Sequence, residues 1–80
     1  MSAHAWVAAI ISLDGPEALR VTATPQTTEA GAGWFGEATG EDGRVIAREW
    51  RPTADGAALD ALARYLLRHR ATLVSLTRES

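Results

Sequence analysis

No lysine and no cysteine occur in the sequence, so every cation that is permanent at neutral pH is one of eight arginines. The first absence excludes Schiff-base chemistry and a lysine-dependent phosphate loop. The second excludes a thiolate nucleophile, a disulfide and a cysteine metal site. Histidine is scarce too: His4 and His69 stand near opposite ends, a poor start on a zinc ligand set. Ser, Thr, Asp, Glu and Tyr65 remain, and none falls in a spacing that forms a nucleophile–base pair or a ligand cluster. The expectation is therefore no catalytic residue, no cofactor, no metal and no enzyme.

Long apolar runs are also lacking. The longest, Ala5–Ile11, is too short to span a bilayer, and only His4 precedes it where a signal peptide carries its charged region. A soluble, cytoplasmic protein is expected. Charge of one sign is missing as well, because ten acids against eight arginines leave a net −2. That balance does not mark a direct nucleic-acid binder. A chain of 80 residues makes one domain, 1–80, that buries only ~60–65% of its unfolded surface. With no disulfide or zinc to reinforce it, the expectation is a core completed by homodimerisation. Arginine, alanine and glycine without lysine also point to GC-rich codons, hence a high-GC bacterium or its phage.

What is present reads as β-β-β-β-α-β. Ala5–Leu13 alternates with both faces apolar: Ala5, Val7, Ala9, Ile11 and Leu13 against Trp6, Ala8 and Ile10, the pattern of a central strand. Asp14-Gly15-Pro16-Glu17 signals a turn, and Ala18–Thr24 follows with Leu19, Val21 and Ala23 inward. Pro25–Gly31 reads as a loop. Gly33–Arg51 reads as a second hairpin turning at Thr39–Gly43, its glycines predicting a bulge or strong twist. In Arg44–Arg51, Val45 and Ala47 share one face, and Ile46 and Trp50 share the other with Arg44 and Arg48. Thr53 or Asp55 caps a helix over Ala57–Arg70 whose apolar stripe is Leu59, Leu62, Ala63, Leu66 and Leu67. Asp60 and Arg64 are spaced for an i, i+4 pair. Thr72–Thr77 is the last strand, with Val74 and Leu76 opposite Leu73. The expected fold class is α+β, an antiparallel sheet of four to five strands with one helix packed on one face.

Candidate contact residues gather in the second hairpin. Trp34 and Phe35 are neighbours on a strand and must face opposite ways, so one of them leaves the helix-covered core. Glu37, Glu41, Asp42 and Glu49 lie along the same hairpin and suit a basic partner. The arginines Arg44, Arg48, Arg51, Arg64, Arg68 and Arg70 are interleaved with acids and read as a charge ladder. The glycines of AGAGWFGEATG match no nucleotide-binding fingerprint and read as hairpin glycines.

In whole-chain size, GC-rich composition and β-rich pattern the sequence resembles the anti-CRISPR inhibitors. No motif carries the resemblance. It implies a phage or mobile-element protein that binds a CRISPR effector complex and blocks recruitment of target DNA. An acidic surface, with Trp34 or Phe35 as anchor, would occupy the complex's basic groove. An antitoxin-like or regulatory binding module and a small phage connector share the same outline.

Overall fold

The computed structural model describes residues 3–79. Five strands form one antiparallel sheet: β1 (His4–Ser12), β2 (Gly15–Thr28), β3 (Gly31–Thr39), β4 (Val45–Arg51) and β5 (Thr72–Arg78). One helix, α1 (Ala54–His69), lies between β4 and β5 in sequence. The spatial order is β4-β3-β2-β1-β5, so α1 carries the chain across the sheet from one edge to the other. This is the α+β class that the alternation and the single amphipathic segment dictate.

The first two strands are apolar on alternate residues, and their pairing sets Trp6 against Val21 and Ala8 against Leu19 on one face. Register then carries that face through Ala38 of β3 to Ala47 of β4. All six are buried under α1, with Ile10, Ala23, Ala58, Leu62 and Tyr65. Thr53 caps the helix by accepting a hydrogen bond from the Gly56 amide at 3.1 Å.

Small residues let α1 come very close. A Cβ added to Gly36 in β3 would fall within the carbonyl group of Ala57, so only glycine fits where helix and strand touch. The buried face of α1 is accordingly Ala57, Ala58, Ala61, Leu62 and Tyr65. This corrects part of the expected leucine stripe: Leu62 is buried and Leu66 packs against the core, but Leu59 and Leu67 are 51% and 81% exposed, and Ala63 is exposed too. A seam of alanines brings the backbones together, whereas a seam of leucines would hold them apart.

Four further corrections concern boundaries and facing. β1 ends at Ser12, and Leu13 lies exposed in a two-residue turn with Asp14. Pro25–Thr28 is not loop but the end of β2, paired with Gly31–Trp34. A register shift between Ala38 and Thr39 turns Ile46 towards the core, away from the Arg48–Trp50 side. A second shift on β1 pairs Leu73 with Ile10 and Leu76 with Ala8, so both leucines share the helix side and Val74 is the extra residue. The expected Asp60–Arg64 pair is replaced by pairs to β4, described next.

Candidate interaction surface

One helix cannot cover both faces of a five-stranded sheet. On the side away from α1 the registers align Val7, Ala9 and Ile11 of β1 and Arg20, Thr22 and Thr24 of β2. Phe35 and Glu37 of β3 and Arg48 and Trp50 of β4 complete that face. Phe35 stands directly across from Trp50. The indole occupies the space over Gly33, where any Cβ would collide with the ring and lie 2.9 Å from the Arg51 carbonyl oxygen. Trp50 Nε1 is buried there with no hydrogen-bond partner.

The charges on this face are matched. Arg48 donates through Nε and a terminal nitrogen to Glu37 Oε2 at 3.0 and 2.7 Å, and its guanidinium lies 5.8 Å from the Phe35 ring centre. Arg20 and Glu79 form a looser, exposed pair at 3.6 Å. Each arginine of the face thus has an acid beside it, and the two exposed guanidinium groups frame half-buried Val7, Phe35 and Trp50 and exposed Ile11 and Thr24. The composition resembles binding hot spots, in which aromatics and arginine dominate.

The six residues singled out in the sequence do not converge on one patch. Phe35 and Glu37 share the open face. Trp34 turns to the helix side and packs against the core, its ring centre 5.3 Å from that of His4. Glu49 is also on the helix side, where its side chain is 12% exposed and meets both Arg51, at 3.3 Å, and Arg64. Arg51 Nε further donates to Asp60 at 2.6 Å. These pairs fasten α1 to β4, a charge ladder within the chain. Glu41 and Asp42 lie in the β3–β4 turn and accept backbone amides, Glu41 from Ala18 at 3.1 Å and Asp42 from Arg44 at 3.0 Å.

That turn stands near the C-terminal end of α1. Tyr65 is buried there and stacks on His69 with ring centres 4.3 Å apart. Burial raises the Tyr65 hydroxyl above its ordinary pKa, and the negative charges of Glu17, Asp42, Asp14 and Glu41 raise it further. Among the described residues no three His, Asp or Glu side chains are grouped to hold a metal ion. No helix among them is long and apolar enough to cross a membrane.

Sequence reasoning missed the open-face role of Val7, Ala9 and Ile11, although a signal was present. β1 is apolar on both faces, and one helix stripe can cover only one of them. No protein-family model matches the chain, and no curated protein and no solved structure matches it either.

Proposed function

We propose that this chain is a non-catalytic module that docks a partner protein on the sheet face away from α1. One observation carries the reading: that face holds Phe35, Trp50, Val7 and Ile11, while its arginines are already matched by acids. Matched charge suits a protein surface and offers little to nucleic-acid phosphates. The acidic contact expected from the sequence would need Glu37 and Glu49, which are engaged within the chain. The proposal therefore moves the contact from the acids to the aromatic face.

A CRISPR effector complex, the partner class implied by the resemblance, is the first to test, with the bacterial cytoplasm as its compartment. The experiment is capture from a CRISPR-bearing lysate on immobilised protein, followed by a target-DNA gel shift of the captured complex. The reading expects a retained effector whose DNA binding is blocked. An effector that binds and cuts DNA normally at saturating protein rejects this partner. Retention of nucleic acid without protein rejects the module itself.

A further inference from the structure

We propose that the groove between β4 and the C-terminal half of α1 takes an extended, acid-ended segment of a partner protein, its carboxylates held by Arg44 and Arg68. This contact goes beyond the open-face reading, because it uses the helix side of the β4 edge and different residues. The charge ladder that fastens α1 to β4 stops short of these two arginines. Arg20, Arg48, Arg51 and Arg64 each lie beside an acid of the chain. Arg44 and Arg68 are exposed and form no ion pair among the described residues.

The two nevertheless line one pocket of about 360 Å³, together with Asp42, Val45, Ile46 and His69. Asp42 turns one carboxylate oxygen to the Arg44 backbone amide at 3.0 Å. Ile46 and Arg68 also line a longer groove of about 780 Å³ that continues along β4, past Ala63 and Leu67. Val45 and Leu67 are 50% and 81% exposed and give the cations apolar neighbours. Two unneutralised guanidinium groups in one pocket, on a chain of net charge −2, are complementary to carboxylates.

The backbone adds a direction. β4 is an edge strand, so one side of it is open to a further strand. It pairs regularly with β3 from Ala47 to Arg51, and the shift at Ile46 ends that stretch beside the two arginines. A segment added antiparallel to Ala47–Arg51 runs towards Ile46 and delivers its C-terminal residues to Arg44 and Arg68. The fitting chemistry is therefore a run of strand-forming residues followed by acids. So short a strand with two exposed ion pairs binds weakly, at ~100 µM, and dissociates during washing. Capture from a lysate thus reads the open face alone, and the two contacts fail separately.

The probe is the amidated peptide Thr-Val-Thr-Val-Thr-Glu-Glu with an N-terminal fluorophore, titrated with the protein and read by fluorescence anisotropy. Wild type should bind it at ~100 µM, and a Gln-Gln ending should bind at least ~10-fold more weakly. A peptide with the two acids moved to its N-terminus should lose as much. Arg44→Gln and Arg68→Gln should each weaken binding ~3–5-fold. Arg70→Gln, at an exposed arginine outside both grooves, should bind as wild type does. No binding up to about 1 mM overturns the proposal, as does equal binding of either control peptide or an equal loss with Arg70→Gln. An oligothymidylate that binds as tightly as the acidic peptide also overturns it, because the pocket then takes phosphate. The peptide comparison uses the wild-type protein, so it decides even where an arginine variant fails to fold.

Discussion

At the residue scale, three side chains hold conformations or environments that single substitutions can report. Trp50 fills the space over Gly33 but leaves its Nε1 without a partner. An unsatisfied buried donor costs ~1–3 kcal/mol, so Trp50→Phe trades lost area against a removed penalty. Urea titration should place Trp50→Phe within about 1 kcal/mol of wild type and Trp50→Ala ~3–5 kcal/mol below it. Arg70 ends α1 in the left-handed region at φ 50°, a conformation that costs a side-chain-bearing residue roughly 1–2 kcal/mol. Arg70→Gly should recover about 1 kcal/mol in the same titration. Tyr65 gives a pH signature. Its pKa is raised by folding, so the folded state holds the proton more tightly. Stability should stay level below about pH 10, the unfolded value, and fall as pH rises through the folded one. The chain has one tyrosine, no lysine and no cysteine, so no other side-chain type titrates in that window. Tyr65→Phe should flatten the alkaline loss in melts run across it.

At the scale of elements, the fold rests on a helix and a strand meeting through their smallest residues. Leu62→Ala should cost ~2–5 kcal/mol, because Leu62 is 3% exposed in the core. Gly36→Ala should cost at least ~1–3 kcal/mol by lifting α1 off β3. Leu67→Ala, at a position 81% exposed, should stay within about 0.5 kcal/mol of wild type. Chemical denaturation of the three variants checks this ranking; packing through the whole leucine stripe would instead make Leu67→Ala as costly as Leu62→Ala and leave Gly36→Ala near wild type. The same elements show what the sequence made legible. Alternation located β1 and the inward Leu19, Val21 and Ala23 of β2, and Thr53 was one of two recognisable caps. The rotation of α1 was hidden because large side chains were weighed above small ones. Yet Ala54, Ala57, Ala58, Ala61, Leu62 and Tyr65 follow the helical period as faithfully as the leucines do. The glycines of the second hairpin pointed to a bulge, but not to its place at Ile46, and the bulge at Val74 was hidden, since one added residue reverses facing with no mark in composition.

At the scale of the whole molecule, the central claim is that a sheet with one helix presents its other face to a protein. The acids that looked like a docking surface are distributed by the fold to a helix clamp, a turn and a cross-strand rung. No spacing rule in the sequence could reveal that dispersal, because it depends on which strand face each residue occupies. The aromatic pair of β3 and β4 was legible only as a two-sided problem, and the pairing of Phe35 with Trp50 resolves it. The most direct measurement compares lysate capture by wild type, the open-face variant Ile11→Glu with Thr24→Arg, and the helix-side variant Arg68→Glu. Ile11, Thr24 and Arg68 are all exposed, and thermal melts confirm that each protein is folded. The account predicts that the open-face variant loses the captured partner while Arg68→Glu retains it as wild type does. Capture that survives the open-face changes and disappears with Arg68→Glu would place the working surface on the other side of the molecule and contradict the account.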